Sequence, residues 1–287
     1  MIMQDPPFDS EAAKKDAELA QGFLAALDST LELKRDTPVA KREESEALFY
    51  DSLEAPNEEE ECELLIQAAE MDPGNVAALL GVREFLTLSV NEEVEALRKI
   101  VALGERRLGK KGFKDHAGQF WGVIETRSYM RARAQLADAL REAGKTDEAI
   151  IEWEALLALN PEDNQSLRYE LLAAYLATQR LDGAARLFGA YDECEKNTVF
   201  AWGRVLERFL AGDVPGAGAA LAVARKQNGY TEAYLLGHRK LPKTLPDACK
   251  PGSKEESECF AESLIASWEP HTAAKKWLAA QPKPGSR

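Results

Sequence analysis

The 287-residue sequence holds only three histidines and four cysteines, and it has no long apolar run. Each scarcity removes a class of function. His116, His238 and His271 fall in three different segments, which leaves little material for a general base or an imidazole metal site. Cys62, Cys194, Cys249 and Cys259 contain no close pair of the C-x-x-C kind, so they read as reduced thiols. The interval between Cys249 and Cys259, with His271 downstream, matches no zinc spacing. No serine sits in a G-x-S-x-G elbow. A basic stretch followed by an apolar one is missing from the start, and no segment reaches the roughly 18 apolar residues that span a bilayer. The expectation is a cytoplasmic, non-catalytic protein with no metal, no cofactor and no membrane partner.

Charge is present but lopsided. The formal net charge is −13, and residues 1–75 carry 20 acidic and 6 basic side chains against 29 and 30 in the remainder. A polyanion would be repelled by the first quarter of the chain, which argues against nucleic acid as a partner. The alanine-, leucine- and glutamate-rich makeup with few β-branched runs favours helix throughout.

Two glycine-bearing stretches invite a nucleotide and then refuse it. Gly104 to Lys111 nearly spells a phosphate-binding loop, but Lys111 stands where a hydroxyl would hold magnesium, and no strand precedes it. Gly216 and Gly218 lack the third glycine and the leading strand of a dinucleotide fingerprint.

The most ordered pattern runs from Met130 to Asp163. On a thirty-four-residue helix-turn-helix repeat it places Leu136 and Ala137 in a first helix, Gly144 at the turn, Ala149 and Trp153 in a second helix and Pro161 after it. Small residues at Ala137 and Ala149 permit close approach, Gly144 accepts a left-handed conformation, and Pro161 ends the second helix. One repeat cannot bury its apolar face alone, so neighbours are required. They are found from Arg42 to Pro73, from Ala77 to Lys110, from Gln165 to Asn197 and from Val199 to Asn228, where the alanine-rich Ala217–Ala224 implies close helix contact. Their apolar positions include Ala47, Leu48 and Leu53; Leu80 and Ile100; Leu171, Leu172, Tyr175, Ala184 and Phe188; and Trp202, Val205 and Leu206.

Around these repeats lie two flanking regions. Ser10 to about Leu33 reads as one amphipathic helix, capped by Asp9 or Ser10, followed by a polar hinge from Lys34 to Lys41. Helices resume over Ser253–Trp268 and His271–Leu278, with Phe260, Leu264, Trp268 and Trp277 able to cover the last apolar face, and the end beyond Gln281 reads as loose. The organisation expected is therefore 1–38, an N-terminal helix and hinge; 39–240, a tetratricopeptide-like solenoid; and 241–287, a helical cap and tail.

Binding candidates follow from this frame. In tetratricopeptide solenoids the first helix of each pair lines the concave side, which puts Arg131, Arg168, Tyr169 and Trp202 in a groove, together with Arg141. Arg, Tyr and Trp are the residue types that most often dominate binding energy. Arg168 could instead answer Glu162 or Asp163, with Asn164 capping its helix. The insertion Lys111–Ser128 contains Phe120 and Trp121, which plug the seam between repeats; alternatively Trp121, Glu125 and Arg127 wall one end of the groove. Glu58–Glu61 is either an acidic patch or the ordinary complement of a helix N-terminus.

FWGVIETRSYMRARAQLADALREAG, NPEDNQSLRYELLAAYL and TEAYLLGHRKLPKTLPD together resemble a group of uncharacterised bacterial tetratricopeptide-repeat proteins distantly similar to the suppression-of-tumorigenicity-seven family. The resemblance covers roughly Ala68 to Leu278, and departs from the group at Ser128 and at Ala248-Cys249. It implies an interaction protein with no assigned catalytic residue. The reading is an all-α, right-handed solenoid that binds a peptide or protein segment in its concave groove. The alternatives are a scaffold or homo-oligomer whose groove its own N-terminal helix fills, and an enzyme with a polar pocket near Trp121, Glu125, Arg127 and His116. A carboxylate clamp is disfavoured, because Ala134 and Asp138 occupy the positions where lysine and asparagine would be needed.

Overall fold

The computed structural model describes residues 10–33, 35–246 and 248–282. Among them the regular elements are fourteen α-helices and one 3-10 turn, with no strand. The expected cap at Asp9 and the expected loose end after residue 282 lie outside the described residues. The chain divides into two compact units, Met1–Asn164 and Gln165–Arg287.

The first unit holds α1 (Ser10–Glu32), α2 (Val39–Ser52), α3 (Glu58–Met71), α4 (Val76–Glu84), α5 (Val90–Asp115), a 3-10 turn (Phe120–Gly122), α6 (Ile124–Glu142) and α7 (Thr146–Leu159). Local chemistry sets several of these limits. Asn57 and Asn75 accept from the amides of Glu60 and Ala78 to start α3 and α4, and Ser89 with Glu92 forms a capping box on α5. Glu58–Glu61 fills the first turn of α3, where carboxylates complement the positive helix end.

Packing follows chain order: α2 on α3, α3 on α4, α5 on α6 and α6 on α7, with α4 also touching α6. Leu136, Ala137, Ala149 and Trp153 are all buried, as the repeat pattern requires. Gly104 earns its place by proximity, because a Cβ there would come 2.9 Å from Cδ2 of Tyr129. The stretch Gly104–Lys111 is part of α5, broken only at Gly109 with φ 55°, so it is helix and not a strand-led loop. Phe120 is fully buried against Phe113 and Tyr129, so it plugs the seam.

Two expectations for this unit are corrected, the apolar side of α2 and the hinge that follows α1. On α2 the buried residues are Ser45 and Ser52, while Ala47 and Leu53 are exposed. The Ser45 hydroxyl donates to the Ala68 carbonyl (2.7 Å) and accepts from Asn75 Nδ2 (2.8 Å), so a small hydrogen-bonded group makes the close contact that leucine was expected to make. The N-terminal helix α1 packs on α5. Lys99 reaches Asp28 at 2.8 Å, and Arg106 donates to the carbonyls of Thr30 (3.0 Å) and Leu31 (3.1 Å), supplying the positive charge that the last turn of α1 lacks. The supposed hinge is pinned, since the Thr37 hydroxyl donates to Asp72 Oδ1 at 2.7 Å.

The second unit holds α8 (Arg168–Ala177), α9 (Leu181–Ala190), α10 (Thr198–Leu210), α11 (Val214–Asn228), α12 (Thr231–Leu235), α13 (Lys254–Trp268) and α14 (Thr272–Ala279). The helices α8–α9 lie within residues 165–197 and α10–α11 within 198–228, and Leu171, Leu172, Tyr175, Ala184, Phe188, Val205 and Leu206 are buried. On α11 only Ala217, Leu221 and Ala224 of the alanine-rich run are buried; Gly218, Ala219 and Ala222 face solvent. Close contact therefore involves one side of that helix, not the whole run.

A single turn recurs in both units. After α6, Gly144 N–H bonds to the Arg141 carbonyl and Lys145 N–H to the Leu140 carbonyl. After α8, Gln179 and Arg180 repeat this toward Leu176 and Tyr175, and after α10, Gly212 and Asp213 repeat it toward Phe209 and Arg208. The central residue has φ 73°, 57° and 79° respectively. This is the paired bonding of a Schellman motif.

Candidate functional site

Two places receive the residues singled out from sequence. In the first unit, Arg127 Nε donates to the Trp121 carbonyl at 2.8 Å, and its guanidinium carbon lies 5.6 Å from the Trp121 ring centre. The pair is half-buried, and Arg131, one helical turn further along α6, is exposed. Below them Tyr129 is buried. Its hydroxyl accepts from Arg133 Nη1 (2.9 Å) and donates to Glu105 (3.3 Å), while Arg133 Nε meets Glu152 at 2.5 Å. Burial, with Glu105 adding to it and Arg133 opposing, pushes the Tyr129 phenol up to about 12. These bonds fix the root of α6 and leave Arg131 at its surface.

In the second unit Arg168 and Tyr169 are committed to their own fold. Arg168 Nε donates to Glu193 Oε1 at 3.1 Å, Arg168 Nη2 to the Tyr169 hydroxyl at 2.7 Å, and that hydroxyl to Glu193 Oε2 at 2.8 Å. The guanidinium also lies 4.4 Å from the Tyr169 ring centre and 5.3 Å from that of Tyr191. Burial and the Glu193 carboxylate push the Tyr169 phenol upward, against Arg168. Glu193, which meets Arg168 here, was not among the carboxylates named from sequence. Asn164 was expected to cap α8, but that helix begins after Leu167 without a side-chain cap.

Trp202 is corrected outright as a groove residue. It is fully buried, and its indole N–H donates to the Asn228 carbonyl at 3.0 Å. It belongs to a core position of α10, where an aromatic at repeat spacing is better read as packing.

The face that α8 and α10 form together is covered by α13, which packs on both. Phe260 of α13 meets the Tyr169 ring edge-on at 5.4 Å, and the Ser263 hydroxyl donates to Glu170 at 2.5 Å. At the other end Asn228 Nδ2 donates to Glu256 Oε2 (2.8 Å) and to the Ser253 carbonyl (2.8 Å). The hydroxyls of Thr198, Thr231 and Ser257 run in a chain with 3.0 Å and 2.9 Å links, and Ser257 donates on to Asn228 Oδ1 at 2.7 Å. Tyr234 donates to Glu258 at 2.8 Å, and bonds from Lys254 and Tyr234 hold the Glu258 carboxyl below its usual range. The sequence announced none of these partners, because no local period links residue 170 to 263 or 228 to 256.

For chemistry, the described residues offer little. His116 lies against Phe120, His238 is exposed, and buried His271 bonds through Nε2 to the Leu176 carbonyl at 2.8 Å. Among the described residues no group of three His, Cys, Asp or Glu side chains is placed to hold a metal ion, and no helix is long and apolar enough to cross a membrane. The class these features define is an all-α protein assembled from packed helix pairs. No protein-family model matches the chain, and no curated protein matches it.

Proposed function

We propose that the chain is a non-catalytic interaction protein, a right-handed solenoid of tetratricopeptide-like pairs related to the bacterial group that its sequence resembles, and that it binds a peptide or protein segment. The observation that carries this reading is the shared Schellman turn after α6, α8 and α10, combined with first helices that pack on one another, α4 on α6 and α8 on α10. The candidate contact surface is the α6 surface around exposed Arg131, flanked by the Trp121–Arg127 pair. Arg168 and Tyr169 are tied to Glu193 and Trp202 is buried, so those three serve the fold.

The test is affinity capture from a lysate of the source cells, comparing the native chain with a Trp121→Ala, Arg131→Glu double variant of unchanged helicity. Loss of a protein from the variant alone is the expected result. Equal recovery overturns the site.

A second reading, self-association, is favoured by the outer side of α2, where Val39, Tyr50 and Leu53 are exposed. Sedimentation velocity of the native chain against Tyr50→Glu, Leu53→Glu decides it, because a dimer through this side is expected to dissociate in the variant and a monomer to show no change.

A further inference from the structure

Five of the eight buried residues on α13 are polar: Glu256, Ser257, Glu258, Ser263 and Ser267. The helix beneath it is different, since only Thr198 and Glu207 of the nine buried residues on α10 are polar and the rest include Val199, Phe200, Trp202, Val205 and Leu206. A helix built permanently into a core gains most from apolar burial. One that must be stable both on and off a surface carries the more polar contact typical of transient interfaces. The connection has the same character, because the described residues between α12 and α13, 236–246 and 248–253, form no helix or strand.

We propose that the face of α8 and α10 is a helix-binding surface and that α13 is its resident, releasable occupant, exchanged for a partner helix of the same chemistry. The pattern that would be read is set by Ser257, Ala261, Leu264 and Trp268. These four are buried at spacings of four, three and four residues, so they lie along one side of a helix. Glu256 and Ser263 flank that side and are read by amides and by Glu170. Glu256 accepts from Gln227 Nε2 (3.2 Å), Asn228 Nδ2 (2.8 Å) and the Gly252 amide (2.7 Å). The partner is thus an acidic, serine-bearing amphipathic helix ending in tryptophan. On release, the serines and carboxylates of α13 return to water, so the freed helix does not expose a broad apolar stripe.

The inference rests on the interaction reading for the existence of a partner, and its test does not need that partner. The probe is a fluorescently labelled peptide with the native sequence of residues 250–282, added to the full-length chain. Glu256→Ala with Ser263→Ala loosens the resident α13 and leaves the receiving residues on α8 and α11 intact. The labelled peptide is expected to bind this variant at least about ten-fold more tightly than it binds the native chain. A variant that keeps its cooperative melt and shows no gain overturns the proposal. If the variant fails to fold, hydrogen exchange on the native chain decides. Amides of α13 are expected to exchange at least about ten-fold faster than those of α10, and exchange of both only through one common opening overturns the proposal. Peptide exchange without any partner lost in the Arg131 experiment would leave this surface standing and remove the other.

Discussion

Asp72 is 1 % exposed and accepts from Arg107 Nη1 at 2.6 Å, Arg107 Nη2 at 2.7 Å, Thr37 at 2.7 Å and the Gly74 amide at 3.2 Å. Burial alone would raise its pKa, but the bonds from Arg107 and Thr37, the Arg107 charge and the Gly74 amide outweigh burial and hold the carboxyl below its usual range. A depressed folded pKa means the carboxylate stabilises the fold above its unfolded value, and that contribution is lost as pH falls through the folded one. Stability of the first unit is therefore expected to decline below about pH 4. Asp72→Asn is expected to cost about 2–3 kcal/mol at neutral pH, because Arg107 keeps its charge while its partner loses one, and to flatten the acid dependence. Urea unfolding from neutral pH down to about 3 reads both. In sequence Asp72 looked like part of a helix exit beside Pro73. Its side-chain partners, Thr37 and Arg107, stand 35 residues away on either side, beyond the reach of any local pattern.

At the scale of the element, the turn after α8 places Gln179 at φ 57°, where the equivalent turns use Gly144 and Gly212. A side chain in the left-handed region costs about 1–2 kcal/mol, which glycine avoids at some expense in chain entropy. Gln179→Gly is expected to stabilise the second unit by up to about 1 kcal/mol, and Gly144→Ala to destabilise the first by a similar amount; thermal melts of both variants check the pair. Helix limits were largely legible because their signals are chemical and local. The span read as Ser253–Trp268 is α13 behind its Ser253 cap, and Ser10 to about Leu33 is α1. Which face each helix buries was less legible. The apolar residues Ala47, Leu48 and Leu53 were read as the inward positions of the first helix, yet Ser45 is the residue that two hydrogen bonds hold inside.

For the whole molecule, the division after Asn164 separates two sets of helices that each contain their own core. Fragments 10–164 and 165–282 are each expected to give a cooperative helical melt when expressed alone, measured by circular dichroism. A fragment without a sigmoidal transition would show that its core is not self-sufficient. The boundary was invisible in sequence because Asn160 to Tyr169 reads as an ordinary entrance to the next repeat. What closes the second unit is α13 returning to α8 across almost its full length, and such a return leaves no trace in periodicity.

The same polar helix carries a thermodynamic signature. Exposing polar surface lowers heat capacity while exposing apolar surface raises it, so lifting Glu256, Ser257, Ser263 and Ser267 into water offsets part of the increment from Leu264 and Trp268. The enthalpy of that opening then varies less steeply with temperature than that of an all-apolar helix of the same length. Its stability curve should be flatter than the dome followed by the leucine-rich cores around Trp153 and Trp202.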